Sequence, residues 1–280
     1  MDSIAIRTPA VQTLHLAEAR TLGYRELGEG PAVLLLHGWP TSSYLWRNVM
    51  PPIARRNRVL ALDMPGFGAS DKPLGAGYGF RFFEEAIDGF LDVLGVDEVA
   101  LAGHDLGGPV ALHWALRRPE RVTSIALMNT LVYPDFSPAV IEFVRELMTP
   151  DSRDRITSNE GLAEIMRLGV AAPAGLPEQV LAEVAAPFQG GQERLALAHA
   201  GIGLEPARFG EIAEALPTLR VPVRIVYGAQ DRILPDVADT MSRLERDLPD
   251  VRVTALRDQG HFLQEEAPEE VGELLAEFFG

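Results

Sequence analysis

Leu101-Ala102-Gly103-His104-Asp105-Leu106-Gly107-Gly108 carries an apolar run into a Gly-x-Asp-x-Gly turn, and a helical pattern over 109–117 follows at once. Strand, tight turn and helix in immediate succession form an elbow that pushes its central residue out at the top of a sheet. Gly103 and Gly107 let backbone segments approach closely there. Backbone N–H groups next to the central residue sit at a helix N-terminus, where they stabilise negative charge. The central residue is Asp105. A carboxylate attacks an sp³ carbon by displacement and forms an alkyl–enzyme ester. Its attack on an ester carbonyl would give a high-energy anhydride instead. The residue therefore points away from esterase and protease chemistry, toward cleavage of a carbon–oxygen or carbon–halogen bond. The competing reading is a plain Gly-rich turn with Asp105 as helix N-cap.

On both sides of the elbow, short apolar runs alternate with helical patterns. Alternating segments at 11–16 and 22–27 pair as antiparallel strands. Apolar runs at 32–36, 59–62, 99–102, 125–128, 223–227 and 251–255 read as parallel strands covered on both faces. Helical periodicity at 44–54, 82–94, 108–117, 237–248 and 269–279 separates them. This alternation predicts an α/β fold with a doubly wound sheet. Residues 131–216 break the rhythm with helical patterns at 139–148, 161–169, 178–186 and 192–200. They read as a helical cap inserted after the sixth strand, between core segments 1–130 and 217–280. Such an insertion sits above the carboxyl edge of the sheet, where open α/β folds bind ligands.

The late strands supply the partners of Asp105. Gly228-Ala229-Gln230-Asp231 follows one, and Asp258-Gln259-Gly260-His261-Phe262 follows the last. Nucleophile, acid and base thus occur in the chain order this architecture requires. His261 is the candidate base that activates water, and Asp231 orients its imidazole. Asp236, after Pro235, reads as a helix-start acid. Of the other histidines, His15 reads as surface and His104 as turned away from Asp105. His113 packs in the elbow helix, and His199 lies in the insertion as exposed or cap-lining. His37 ends a strand, orders the following loop and is placed at the substrate pocket. That loop, His37-Gly38-Trp39-Pro40, offers the Trp39 N–H as one oxyanion donor, and Leu106 offers the other.

The chain has 280 residues, enough for one large domain or two small ones. Its 40 acidic against 25 basic residues give a net charge of −15, which disfavours nucleic acid and anionic membranes as partners. The absence of cysteine excludes thiol nucleophiles and Cys-ligated metals. No metal site is expected. Residues 1–10 lack a signal-peptide pattern and no apolar run reaches membrane length, so a cytoplasmic protein, monomer or homodimer, is expected.

Together, His37-Gly38-Trp39-Pro40, Asp63-Met64-Pro65-Gly66-Phe67-Gly68-Ala69-Ser70, the Gly103–Gly108 elbow, Gly228-Ala229-Gln230-Asp231 and Gly260-His261-Phe262 resemble the α/β-hydrolase superfamily. The branch they are most similar to contains the epoxide hydrolases and haloalkane dehalogenases. The resemblance implies a mostly parallel eight-stranded sheet with helices on both faces, a helical cap and no cofactor. Residues 41–47 and 262–269 look dehalogenase-like. Dehalogenases, however, usually carry Trp directly after the nucleophile and often Asn after the His-Gly, where this chain has Leu106 and Trp39. Fluoroacetate dehalogenases carry Arg at the position of Leu106. His37-Gly38-Trp39-Pro40 has the epoxide-hydrolase form. Those enzymes use two cap tyrosines to protonate the epoxide oxygen, and only Tyr133 lies near the insertion, with His199 as a candidate second donor. Phe136 and Phe262 are expected to line an apolar pocket for a small apolar substrate, and the insertion also offers Phe143, Leu147, Met148, Ile165, Met166, Phe188 and Phe209, of which a subset lines the pocket and the rest form its core. The reading is a hydrolase acting through an Asp105 ester, with an epoxide as first choice of substrate. The alternatives are a haloalkane dehalogenase with an atypical halide site, or a small-molecule binding protein on the same scaffold.

Overall fold

The computed structural model describes residues 8–16 and 20–280. The reading of residues 1–10 as leaderless falls largely on residues 1–7, outside the described residues. The strands are β1 (Val11–His15), β2 (Thr21–Leu27), β3 (Ala32–Leu36), β4 (Arg58–Leu62), β5 (Val99–His104), β6 (Val122–Met128), β7 (Val223–Gly228) and β8 (Val251–Leu256). They form one sheet in the order β1-β2-β4-β3-β5-β6-β7-β8. β2 pairs antiparallel with β1 and β4, and the remaining pairs are parallel.

In the core the helices are α1 (Met50–Ile53), α2 (Phe80–Val93) and α3 (Gly107–Arg117). Between β6 and β7 come α4 (Pro138–Met148), α5 (Pro150–Ile156), α6 (Asn159–Gly169), α7 (Glu178–Ala185), α8 (Gly191–Ile202) and α9 (Pro206–Ala215), with no strand among them. The chain closes with α10 (Val237–Asp247), α11 (Leu263–Glu266) and α12 (Pro268–Phe279).

Side chains alternate across a strand, so each parallel strand feeds two cores. Leu34, Leu36, Leu60 and Leu62 face α2, α3 and α10, whereas Val33, Leu35, Val59 and Ala61 face α1 and α12. Phe80, Phe83 and Phe90 of α2 are buried in the first of these cores. Each contributes about 1.5–3 kcal/mol by leaving water. All six residues of β5 are buried, which places the elbow at the end of a central, rigid strand.

Two expectations for local structure change. The helix expected at 44–54 is a 3₁₀ turn over Ser43–Trp46 followed by the short α1. Pro51 and Pro52 lack the N–H groups a continuous helix needs and clash with the preceding turn, so the helix restarts there with proline in its first turn. Helices α5 and α9 were not legible. Each opens on proline and buries little, α5 only Ile156 and α9 only Phe209 and Ile212, so the apolar periodicity is weak.

The insertion between β6 and β7 is fastened to the carboxyl end of the sheet. Trp39 Nε1 donates to the Leu197 carbonyl at 3.0 Å. The Phe80 N–H donates to Glu205 at 3.1 Å, and the His261 N–H to the Gly169 carbonyl at 2.6 Å. Glu266 accepts from the amides of Ala171 and Gly260 at 2.7 and 2.6 Å, which joins the insertion to the loop before His261.

Candidate active site

Asp105 follows β5 directly, in the turn to α3, with φ at +49°. A non-glycine residue held there costs on the order of 1–3 kcal/mol, which the surrounding packing must over-determine. The packing leaves no room for alternatives. A Cβ on Gly103 would lie 2.6 Å from the Gly107 carbonyl oxygen, and one on Gly38 would run into the Asp105 side chain. Gly38 thereby lets the loop after β3 close over the carboxylate. The Trp39 N–H donates to Asp105 Oδ1 at 2.8 Å, and the adjacent Leu106 N–H also acts to hold the carboxyl's pKa down. Both donors picked out from the sequence are thus aimed at Asp105.

His261 Nε2 lies 3.6 Å from Asp105 Oδ2 and has no hydrogen-bond partner among the described residues. Its Nδ1–H donates to Asp231 Oδ2 at 2.8 Å. The other Asp231 oxygen accepts from the amides of Ile233 and Leu234, each at 2.8 Å. Asp236 instead stands at the start of α10. Asp105, His261 and Asp231 therefore form one contiguous chain of side chains, with Nδ1 committed to Asp231 and Nε2 directed at the nucleophile.

The electrostatics follow from burial. Desolvation pushes the Asp105 carboxyl above its ordinary 3.8, against the opposing pull of His261 and the two amides. Desolvation also opposes charging of His261, but Asp231 and Asp105 outweigh it and hold the imidazole above its ordinary 6.5. For Asp231, burial is outweighed by His261, Asn129 and the Leu234 amide, and its carboxyl lies below the ordinary range.

Asn129 escaped the sequence reading. It follows β6, donates to Asp231 Oδ2 at 2.8 Å and to the Gly228 carbonyl at 3.1 Å, and accepts from the Gly228 N–H at 2.9 Å. The available signal was a polar residue closing a buried apolar strand next to the elbow strand. His104 is fully buried, and its Nε2–H donates to the His261 carbonyl at 2.9 Å. It thus fixes the backbone of the base rather than facing Asp105. His113 is buried against Glu84 of α2, His15 is exposed, and His199 is half-buried outside the cavity lining.

In front of Asp105 is a cavity of about 400 Å³. Phe136 and Phe262 line it as expected, with Trp39, Leu106, Phe143 and Phe209. Two expectations are corrected. His37 is fully buried behind the loop and does not line the cavity. Its Nδ1–H donates to the Gly38 carbonyl and its Nε2 accepts the Met64 N–H, so both nitrogens are spent on ordering the oxyanion loop. Tyr133 does not reach the cavity either. Its hydroxyl donates to Asp247 of α10 at 2.7 Å, and the Arg243 guanidinium stacks 3.7 Å from its ring centre. Burial and the Asp247 carboxylate both push that hydroxyl's pKa up, making it a poorer acid.

Comparison with known proteins agrees with this geometry. The alpha/beta hydrolase fold family profile matches residues 31–268. A protein named haloalkane dehalogenase 2 from Mycobacterium bovis is 31% identical over 265 residues, spanning 92% of this chain and 91% of that one. The crystal structure of haloalkane dehalogenase DbeA from Bradyrhizobium elkani superposes with a TM-score of 0.84 at 29% identity, covering 96% of this chain and 97% of that one. The epoxide hydrolase CorEH superposes with a TM-score of 0.82 at 24% identity, over 96% and 98% of the two chains, a likeness of fold alone. The chain belongs to the α/β-hydrolase fold family, in the branch that holds the haloalkane dehalogenases and epoxide hydrolases.

Proposed function

We propose that this hydrolase cleaves the carbon–halogen bond of an apolar haloalkane through a covalent ester on Asp105, with water as the only co-reactant. An Asp105 carboxylate oxygen attacks the halogen-bearing carbon from the rear. The C–O bond forms as the C–halogen bond breaks, and halide leaves with the electron pair. His261 Nε2 then takes a proton from water as its oxygen adds to the ester carbonyl carbon of Asp105. The oxyanion so formed is held by the Trp39 and Leu106 amides. Collapse releases the alcohol and restores the carboxylate, and the proton passes from His261 to solvent.

One observation favours halide over epoxide oxygen as leaving group: the Tyr133 hydroxyl is bonded to Asp247 and lies outside the cavity. An epoxide opens to a strongly basic alkoxide and needs an acid beside it. Halide is a very weak base and leaves without one. The names of the relatives weigh the same way, and the order of preference drawn from the sequence is therefore reversed. The halide site remains atypical, because Leu106 has no side-chain donor and the Trp39 indole N–H is occupied by Leu197.

The test is His261→Gln incubated with a panel of bromoalkanes and with styrene oxide, read by mass spectrometry. The expected result is stoichiometric bromide release and an alkyl adduct on Asp105 that does not hydrolyse. An adduct from styrene oxide alone would restore the epoxide reading. No adduct from either class would leave a binding protein on a hydrolase scaffold.

A further inference from the structure

We infer that the preferred substrates carry a carboxylate at the end remote from the halogen, and that Arg232 binds it; this rests on the haloalkane reading above. Among the described residues, only two charged side chains line the cavity, Asp105 and Arg232. They differ in position. The Asp105 side chain is 15% exposed at the cavity floor, whereas Arg232 is exposed. Ile141 of α4 and Leu168 of α6 also line the cavity while remaining exposed, so the opening lies between these helices and the loop after β7.

Arg232 is held in place without being neutralised. Its Nη2 donates to the Val170 carbonyl and, at 3.5 Å, reaches the Arg167 carbonyl. Its Nε and Nη1 have no partner among the described residues, and no carboxylate there lies within ion-pair distance. Nearby Arg167, by contrast, pairs with Glu178 at 2.9 Å. In a chain with 40 acidic residues, a cation left unpaired at the rim of an apolar cavity is well suited to an anion from solution. A planar guanidinium with two spare nitrogens matches a carboxylate.

The two charges also set the direction of entry. A carboxylate is repelled by Asp105 and attracted by Arg232, so an ω-halocarboxylate enters with its halogenated end leading. The apolar wall between the two charges takes the methylene chain. Displacement at Asp105 then proceeds as above and yields halide and an ω-hydroxycarboxylate.

The experiment compares ω-bromohexanoate with bromohexane in the wild type, Arg232→Gln and Arg232→Lys, with melting curves as a check on folding. The wild type is expected to favour the carboxylate in kcat/KM. Arg232→Gln lowers the carboxylate-to-neutral ratio about tenfold or more, through KM, as expected for loss of a charged hydrogen bond. Arg232→Lys restores part of it. An unchanged ratio in Arg232→Gln, whether both rates fall together or neither does, overturns the inference and leaves Arg232 as an anchor for Val170. If neither compound releases bromide, the dehalogenase reading fails on its own. Calorimetric binding of hexanoate against hexanol then decides the role of Arg232: weaker hexanoate binding in Arg232→Gln supports it, and equal binding removes it.

Discussion

At the scale of single residues, the two half-reactions depend on different groups. Alkylation needs Asp105 ionised, and ester hydrolysis needs His261 neutral. Both carboxyl and imidazole are held above their ordinary values of 3.8 and 6.5, so acid suppresses both steps. The two steps thus carry separate acid limbs, the carboxyl's on alkylation and the imidazole's on ester hydrolysis. Steady-state turnover is therefore expected to be lost in acid along a limb raised above that of a free imidazole, and the single-turnover burst of bromide along a limb of its own, raised above that of a free carboxyl. Rapid-quench measurements across the pH range check this. Coincident limbs for burst and steady state would show that one group governs both steps. Sequence reasoning reached Asp105, His261 and Asp231 because motif and chain order identify them without knowledge of side-chain direction. It failed at Tyr133 and His37 for the complementary reason. Both stand where expected along the chain, but a tyrosine pointing toward α10 and one pointing into the cavity have the same sequence.

At the scale of elements, the 3₁₀ turn after β3 and the short α11 after His261 are clamped together. Arg47 donates to both oxygens of Glu265, at 2.6 and 2.7 Å, and the two side chains are only 8% and 4% exposed. The loop bearing the oxyanion donor and the loop bearing the base thus share one buried ion pair. Arg47→Ala leaves Glu265 buried and uncompensated, a loss of about 3–5 kcal/mol. The expected outcome is a large drop in chemical-denaturation stability, while Glu265→Gln with Arg47 intact costs less. The inner parallel strands were legible to within a few residues because burial on both faces leaves unbroken apolar runs, whereas β8, expected to be covered on both faces, is an edge strand with Arg252 and Ala255 exposed. The insertion was legible as helical but not in its details. Its helices rest partly on a cavity rather than on a core, so their apolar spacing is diluted.

At the scale of the whole molecule, the charge of −15 and the site are decoupled for a neutral substrate. Attraction over distance acts on charged ligands and is screened within about 10 Å at 0.1 M salt. For bromohexane, kcat/KM is expected to stay within twofold between about 20 and 300 mM sodium chloride. A steeper dependence in a stopped-flow series would mean that salt acts on the protein itself. Trp39 carries one feature with a longer reach. Its amide holds the nucleophile while its indole holds α8, an element that buries Ala196, Leu197, Ala198 and Ala200. Packed beside it, α4 buries only Leu147 and sets Phe143 edge-on against the same indole, 4.9 Å between ring centres. Inherited change is therefore unevenly tolerated around the same chamber. A substitution along α8 or at Phe143 is transmitted through one indole to the reacting carboxylate, whereas the exposed positions of α4, such as Ile141, can drift with little penalty to the machinery beneath them. Descendants of this chain would acquire new substrate ranges on the α4 side first.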